Sequence, residues 1–286
     1  MLKDIIKTLK INHYIKNIIV IIPLFFSMNY ANMHLFLKSL VMILSFCFIS
    51  SAVYVLNDLI DIEKDKKHPI KCNRAIASGR ISKRFAIMLL FILLIMSIYT
   101  SNIVNPMCVL MTGLYFVLNI FYSLYFKDIA IIDVACISFG FIFRIISGCF
   151  AINVLPSAFV ILMTFFGSMF FTFTKRKMEL QLVGENECRK SIRGFNIDAL
   201  NQFILVNAIL SISFYFTYTM DNSTILRAGT EYLYLTTIPF TLLVFRLLYL
   251  VNFANNNDDP IIYMKDKTLK LFAFFYIFIF VLVYFL

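Results

Sequence analysis

Apolar residues along this 286-residue chain come in runs long enough to cross a lipid bilayer. A helix needs about 20 mostly apolar residues to span the hydrocarbon core, and nine runs approach that length. Short polar stretches separate them, as at Asn105-Pro106 and between Asn153 and Pro156. The pattern predicts an all-α integral membrane bundle of nine transmembrane helices. The predicted spans are 17–32, 36–56, 84–101, 105–124, 130–152, 157–174, 200–220, 231–252 and 269–286.

The composition supports this interpretation. Hydrophobic residues make up 61% of the chain and charged residues 15%, whereas soluble domains are about half apolar and a quarter charged. An ordinary soluble domain, a disordered chain and a collagen-like chain are therefore excluded. The six cysteines form no CxxC pair, so we expect neither a disulfide framework nor a zinc site.

The basic residues predict how the chain is oriented in the membrane. Of 26 Lys and Arg residues, 22 lie in the N-terminal segment and on alternate connections, and only Lys38 and Arg227 lie on the other side. Because cytoplasmic loops are enriched in Lys and Arg, we expect a multi-pass plasma-membrane protein with a cytoplasmic N-terminus. The charges follow topology and form no single patch, so no nucleic-acid partner is expected. Lysines interleaved with apolar residues before residue 17 predict a short amphipathic helix on that surface.

The longest predicted cytoplasmic connection begins with a group of acidic residues. Asn57, Asp61 and Asp65 are four residues apart, so a helix places them on one face, with Asp58 at its border. Neighbouring carboxylates repel each other unless a cation joins them. Oxygen donors of this kind suit Mg²⁺, which also binds phosphate oxygens. The group therefore predicts a Mg²⁺ site for a diphosphate-bearing substrate; the simpler alternative is a solvated helix end.

Cations that suit phosphate oxygens follow this group, at Lys71 and Arg74. The whole stretch reads Asn57-Asp58-x-x-Asp61-x-x-x-Asp65-x-x-His68-Pro69, then Arg74-x-Ile76-Ala77-Ser78-Gly79. It resembles the first signature of the UbiA-type membrane prenyltransferase superfamily. The resemblance implies one UbiA-like transmembrane domain over residues 1–286, with a pocket open to the cytoplasm. It also implies that the acidic residues hold Mg²⁺ against the diphosphate of a donor.

The connection after the sixth predicted helix, 175–199, distinguishes branches of this superfamily. Aromatic prenyltransferases carry a second aspartate-rich motif there, whereas this chain has the run Lys175-Arg176-Lys177-Met178-Glu179. That run resembles the branch typified by decaprenyl-phosphate phosphoribosyltransferase. The resemblance implies Mg²⁺-dependent transfer of 5-phosphoribose from phosphoribosyl diphosphate to a polyprenyl phosphate in the bilayer. Similar stretches lie at Leu9 to Asn17 and at Tyr122-Ser123 with Lys127 and Asp133.

Motif and resemblance together assign roles to individual residues. The predicted catalytic residues are Asp58, Asp61, Lys71 and Arg74. The predicted Mg²⁺ ligands are Asn57, Asp58, Asp61 and Asp65. The predicted substrate-binding residues are Lys16, Asn17, Tyr122, Lys127, Arg144, Lys175, Arg176 and Glu179. No general base is expected, because an ionised lipid phosphate is already a nucleophile.

Two arginines fall inside predicted helices, where a charge is costly and faces a cavity or a partner. Arg144 is predicted to be either a phosphate ligand or one member of a structural ion pair, with Asp133 three turns earlier on the same face. Arg246 is open to the same two interpretations. Gly140 and Gly148, four residues to either side of Arg144, predict a close approach of helices.

Other functions remain as alternatives. Within enzymes, the alternative is prenyl transfer from a polyprenyl diphosphate to an aromatic or other small acceptor, which the missing second aspartate motif disfavours. A secondary transporter would carry polar residues near the bilayer midplane in broken helices, whereas here they concentrate at one face. For Lys175, Arg176 and Glu179 the alternative is a basic flank of the sixth helix without a binding role.

Overall fold

The computed structural model describes residues 2–68, 71–253 and 265–285. In those ranges the chain forms helices and no strand, which confirms the all-α prediction. The α-helices are α1 (Leu2–Leu9), α2 (Ile22–Phe26), α3 (Met33–Ile60), α4 (Ile62–Lys67), α5 (Lys83–Val104), α6 (Pro106–Leu124), α7 (Ile132–Ala151), α8 (Ala158–Glu187), α9 (Ile197–Met220), α10 (Asn222–Ala228), α11 (Thr237–Phe253) and α12 (Lys267–Phe285).

The apolar helices identify a multi-pass membrane protein. Seven helices of the described ranges are long and apolar enough to span a bilayer, or eight if the bent pair Lys3–Leu9 and Ile11–Phe26 counts as one span. Nine crossings and a cytoplasmic N-terminus stay predictions. The first predicted span, 17–32, is not one α-helix: a 3₁₀ helix, Ile11–Ile21, precedes α2. Pro23 lies at the start of α2, where its missing N–H costs no hydrogen bond.

Helix α8 departs from the predicted pattern at its C-terminal end. The predicted span stops at residue 174, but the helix continues to Glu187, with one non-helical residue at Gly184 (φ 74°). The continuation contains Lys, Arg, Met, Glu, Leu and Gln, all good helix formers, and it buries Met178 and Leu180. The basic run after the predicted span therefore lies on the same helix, which fixes the spacing of its side chains.

The chain divides into two compact units. Unit 1 comprises Met1–Leu124 and Phe143–Leu155, and unit 2 comprises Tyr125–Ile142 and Pro156–Leu286. Helix α3 packs against α5, α6 and the 3₁₀ helix in unit 1. Helices α8 and α9 pack against each other in unit 2, where the core includes the buried Phe173. A single domain over 1–286 stays a prediction.

Small residues allow close packing within unit 1. The Ser45 hydroxyl of α3 lies 2.6 Å from the Ser101 hydroxyl of α5 and donates to the Ser97 carbonyl at 3.0 Å. At Gly148 of α7, an added Cβ would lie only 2.1 Å from the Val20 carbonyl oxygen. The close approach predicted at Gly148 is therefore present, and it explains why a side chain is excluded there.

Candidate active site

The residues predicted to bind Mg²⁺, Asn57, Asp58, Asp61 and Asp65, lie along the end of α3 and the start of α4, and we call them the acid cluster. α3 ends at Ile60, but hydrogen bonds continue across the break. The Asp61 N–H donates to the Asn57 carbonyl at 3.0 Å, and the Asp65 N–H donates to the Asp61 carbonyl at 2.8 Å. The helical repeat therefore persists into α4, as the four-residue spacing predicts. Asp58 and Asp65, two turns apart, are both buried.

Arg74 joins the two buried carboxylates of the acid cluster. Its Nη1 donates to Asp58 Oδ1 at 3.0 Å and to Asp65 Oδ2 at 2.7 Å. Each carboxylate side chain is 5% exposed, whereas the Arg74 side chain is 31% exposed. Buried carboxylates stay ionised only when a cation compensates them. Two carboxylates thus converge on one positively charged nitrogen, and the guanidinium covers them on the solvent side.

Ser123 of α6 orients the amide of the acid cluster. Its hydroxyl is hydrogen-bonded to Asn57 Oδ1, and Ser123 itself is buried. The sequence predicted a ligand one residue earlier, at Tyr122, which is half-buried. The sequence marks Ser123 only as part of the Tyr122-Ser123 stretch that carries the resemblance, and nothing in that stretch predicts its contact with Asn57.

A lysine that the sequence grouped with the N-terminal basic residues also lies near the acid cluster. Lys10 Nζ is 4.5 Å from the ring centroid of Tyr54, and the ammonium group interacts electrostatically with Asp58 and Asp65. The backbone of Lys10 is left-handed, with φ 52° and ψ 49°, which is uncommon for a residue other than glycine. The sequence gives this position no role of its own, because nothing in the local pattern shows that the chain bends there by 42° and brings Lys10 to Tyr54 of α3.

Arg144 lies in a buried polar group of unit 1. Its Nε donates to Asn17 Oδ1 at 2.8 Å, and its Nη2 donates to the Tyr115 hydroxyl at 3.1 Å. The guanidinium also lies over the rings of Tyr115 and Phe46, 4.7 and 5.4 Å from their centroids. Asn17 is fully buried, which suits it to orient Arg144. Substrate contacts of Asn17 and Arg144 stay predictions.

Three of the predicted substrate-binding residues and the predicted catalytic residue Lys71 have accessible side chains. Lys16, Lys71 and Lys175 are exposed, and Lys127 is half-buried. A lysine ammonium on a flexible stem reaches phosphate oxygens as a point charge. Their exposure is compatible with substrate binding, which stays a prediction for each of them.

In unit 2, the C-terminal part of α8 contains a second arginine between carboxylates. Arg176 Nε donates to Asp133 Oδ2 at 2.9 Å, and its Nη1 donates to Glu179 Oε2 at 3.3 Å. The Ser191 hydroxyl also donates to Asp133 Oδ2, at 3.0 Å. The side chains of Arg176 and Asp133 are only 4% and 2% exposed. Arg176 therefore ties α8 to the first turn of α7, and Asp133 ties that turn to the segment after α8.

Glu179 and Lys177 complete this arrangement. Glu179 is half-buried and accepts a second hydrogen bond, from Arg189 Nε at 3.2 Å. The buried Lys177 Nζ donates to Asn252 Oδ1 at 2.9 Å and to the Val251 carbonyl at 3.3 Å, near the end of α11. Lys177 thus has a structural role, and Glu179 is held from two sides.

Arg246, the other arginine within a predicted helix, forms a structural ion pair. Its Nη2 and Nε donate to the two carboxylate oxygens of Asp266 at 2.8 and 3.1 Å. Asp266 Oδ1 also accepts from the Leu269 N–H at 2.7 Å, at the start of α12. The hydrogen bond from Arg246 lowers the pKa of the Asp266 carboxyl below its usual value. The pair fastens α12 to α11.

The carboxylates of the acid cluster are oxygen donors of the kind that Mg²⁺ takes. Across the described ranges, no three His, Cys, Asp or Glu side chains come together as a group that could hold a metal ion. Mg²⁺ commonly takes one or two carboxylates and completes its shell with water and phosphate oxygens. Asp58 and Asp65, the two carboxylates that meet at Arg74, satisfy that requirement if water and a phosphate supply further oxygens. Asp61, half-buried between them, is a further carboxylate on the same segment.

Comparison with known proteins identifies the family. Residues 20–269 match the model of the UbiA prenyltransferase family. The Sinorhizobium fredii protein y4nM, named as uncharacterized, is 29% identical over 278 residues; the match covers 93% of this chain but 53% of that protein, so the chain spans about half of its length. A decaprenyl-phosphate phosphoribosyltransferase from Mycolicibacterium smegmatis is 26% identical, with 95% of this chain and 89% of that protein covered.

The fold agrees with that assignment. A UbiA homologue from Archaeoglobus fulgidus, solved with GPP and Mg²⁺ bound, superimposes with a TM-score of 0.71 at 14% identity. The superposition covers 99% of this chain and 98% of the homologue. The family match, the helical fold and the relatives lead to one conclusion: this chain belongs to the UbiA prenyltransferase family and is a membrane-bound transferase.

Proposed function

We propose that this transferase moves 5-phosphoribose from phosphoribosyl diphosphate to a polyprenyl phosphate in a Mg²⁺-dependent reaction. One observation carries the choice of donor. Two buried carboxylates converge at the end of α3, whereas the corresponding run on α8 offers Lys175, Arg176 and Glu179 in place of a second aspartate motif. One metal site with additional cations suits a small donor that carries phosphate at both ends. The relatives named decaprenyl-phosphate phosphoribosyltransferase support the same choice.

In this proposal the acid cluster binds the diphosphate end of the donor. Asn57, Asp58, Asp61 and Asp65 hold Mg²⁺, which supplies positive charge next to the leaving diphosphate. Lys71 and Arg74 neutralise further charge on the same group. An oxygen of the lipid phosphate attacks the anomeric carbon of the ribose, the bond from that carbon to the diphosphate oxygen breaks, and diphosphate leaves. The lipid phosphate is already ionised, so no residue needs to remove a proton.

The residues near the end of α8 have a different task. We assign Lys175, which is exposed, to a phosphate of the donor. Glu179, held by Arg176 and Arg189, accepts hydrogen bonds from the ribose hydroxyls. Arg176 is buried against Asp133, so its contribution to binding passes mainly through the position of Glu179. Positioning and electrostatics of this kind supply most of the catalysis in such a reaction.

The remaining proposals concern the lipid and its surroundings. The acceptor is a polyprenyl phosphate dissolved in the bilayer that the apolar helices span. The chain lies in the plasma membrane, with the pocket open to the cytoplasm where phosphoribosyl diphosphate is dissolved. Lys16, Tyr122, Lys127 and Arg144 are proposed contacts of the two substrates.

An assay with purified protein in lipid nanodiscs tests the proposal. Radiolabelled phosphoribosyl diphosphate and Mg²⁺ should give labelled lipid and diphosphate only when a polyprenyl phosphate is present, and EDTA should stop the reaction. The parallel assay offers geranyl or farnesyl diphosphate with a hydroxybenzoate and should give no product. Product from that pair, with phosphoribosyl diphosphate left intact, would replace the proposal by prenyl transfer to an aromatic acceptor.

A further inference from the structure

Arg74 lies against the acid cluster, where a metal ion would have to bind. Its Nη1 lies within hydrogen-bonding distance of Asp58 Oδ1 and Asp65 Oδ2 at once. A divalent ion shared by the same two carboxylates needs the same oxygens. The guanidinium nitrogen and the ion therefore compete for Asp58 and Asp65, because both satisfy the charge of the same pair.

The backbone around Arg74 is anchored, whereas its side chain is not enclosed. Arg80 Nη2 donates to the Asn73 carbonyl at 2.6 Å, and Arg80 Nε donates to Asp4 Oδ1 of α1 at 3.0 Å. The Arg74 N–H donates to the Lys71 carbonyl at 2.9 Å. The Arg74 side chain is nevertheless 31% exposed, so it can rotate toward solvent while its backbone stays in place. The two carboxylates are buried and have less freedom to move.

Electrostatic interactions determine when Arg74 is displaced from Asp58 and Asp65. A metal ion alone would have to displace a cation and then lie beside it, which adds like charge at one place. A diphosphate removes this obstacle, because its oxygens complete the metal shell and also offer the displaced guanidinium a charged, bidentate partner. Metal and diphosphate therefore raise each other's affinity, as reciprocal coupling between two ligands requires.

We propose that Arg74 is a specificity residue that occupies the metal position between Asp58 and Asp65 and yields it only to a metal together with a diphosphate. The site then selects the metal–diphosphate pair over the metal alone. The inference rests on the proposed Mg²⁺ role of the acid cluster and adds to it an order of events: Arg74 changes partner from two carboxylates to the incoming phosphate.

Manganese binding tests this inference without any turnover. The full chain in nanodiscs is titrated with Mn²⁺, with and without inorganic diphosphate, and unbound Mn²⁺ is read by electron paramagnetic resonance. In the wild type, diphosphate should raise Mn²⁺ affinity at least about fivefold. In Arg74→Gln, Mn²⁺ alone should bind about tenfold more tightly than in the wild type, and the enhancement by diphosphate should shrink. Asp65→Asn removes one carboxylate of the proposed site, so any loss of unbound Mn²⁺ that persists in this variant with diphosphate measures the Mn²⁺ bound to diphosphate in solution.

The matched control is Arg84→Gln, which removes an exposed arginine of α5 and should leave both Mn²⁺ affinities unchanged. Should Arg74→Gln fail to fold, Arg74→Lys keeps the charge on a more flexible and more strongly hydrated side chain and should tighten Mn²⁺ binding by a smaller factor. If the wild type binds Mn²⁺ and neither Arg74 variant binds it more tightly, the inference is overturned and the proposed function stands. If no variant binds Mn²⁺ under any condition, the Mg²⁺ role falls as well.

Discussion

Arg74 in unit 1 and Arg176 in unit 2 each form ion pairs with two carboxylates. Arg74 covers Asp58 and Asp65 and is 31% exposed, whereas Arg176 is 4% exposed and bonded to Asp133, itself 2% exposed. The difference in exposure gives the guanidinium group two different roles. An arginine at the solvent side can exchange its carboxylates for a phosphate. An arginine enclosed by protein holds helices together.

The same contrast revises what the basic run on α8 means. The sequence leaves Arg176 either as a substrate-binding residue or as part of a basic flank of the sixth helix, and in the structure its guanidinium joins α8 to α7 and supports Glu179. Direct contact with substrate is better suited to the neighbouring exposed Lys175. Adjacent residues on a helix point in different directions, so one of the two cations is buried and the other reaches solvent.

The largest effect should follow from removing one carboxylate under Arg74. Asp65→Asn should lower turnover at least about 100-fold, since it removes a charged ligand of the proposed Mg²⁺ site for the diphosphate end of the donor. The measurement is labelled lipid formed per unit of folded protein. Glu63→Gln is the matched control, because Glu63 lies on the same short helix but is exposed and pairs with Lys66. Near-normal turnover in Asp65→Asn would show that the acid cluster is not the site.

The free energy of unfolding should depend more on Arg176 than on Arg74, whereas activity should depend strongly on Arg74. Arg176→Met should lower the free energy of unfolding by about 3–5 kcal/mol, because it leaves Asp133 buried without its cation. Arg74→Met should lower it less, since solvent can reach the exposed side of that pair, although activity should fall strongly. Thermal unfolding in detergent compares the two variants.

A double variant tests whether the uncompensated charge of Asp133 causes the loss of stability. Arg176→Met combined with Asp133→Asn removes the uncompensated charge and should recover part of the lost stability. Equal destabilisation by the Arg74 and Arg176 variants, or no recovery in the pair, would contradict the division between an exchangeable arginine and a structural one.

A smaller effect is expected at the hydroxyl that orients Asn57. Ser123→Ala should lower kcat/KM about tenfold, which corresponds to one hydrogen bond's share of the barrier. Ser123→Thr keeps the hydroxyl and should retain most of the activity. Titration of Mg²⁺ in the assay separates the causes: the Ala variant should need more Mg²⁺ for half-maximal rate, and an unchanged requirement would remove Ser123 from the site.

The smallest effect should come from the pair Arg246–Asp266, which is 24% and 20% exposed. Arg246 lowers the pKa of Asp266, so the pair stabilises fully above the unfolded-state value of about 3.9. That stabilisation disappears as the pH falls through the lower folded-state pKa. Asp266→Asn should lower Tm slightly at pH 7, less than Arg176→Met, and the difference from the wild type should vanish in strong acid. A difference that persists there would assign the loss to packing.

Local patterns predicted a good deal of this molecule. The apolar runs marked helices that the structure contains, and Asn105-Pro106 marked the break between α5 and α6. The acid cluster followed from four-residue spacing, and the hydrogen bonds across Asp61 preserve that spacing. Each of these features depends on residues within two or three turns of one another, so periodicity and turn chemistry suffice to predict them.

The length of α8 beyond its predicted membrane span also has a physical reason. The span was predicted to end where charged residues begin, because a bilayer excludes them. A helix does not stop at the membrane surface when its sequence favours helix and its charges find partners. Arg176 and Lys177 find theirs in Asp133 and Asn252, so α8 continues to Glu187.

The sequence alone therefore determined the helical class, the membrane setting and the spacing of the acidic residues at the end of α3, because these depend on composition and local spacing. Only the tertiary structure decided which cation meets which anion. Arg144 finds Asn17 across 127 residues, and Arg176 finds Asp133 across 43. Such pairs form where packing excludes water and brings distant segments together, and no local pattern records that. The same packing leaves the Arg74 side chain partly exposed above Asp58 and Asp65, and it buries the Arg176 side chain against Asp133.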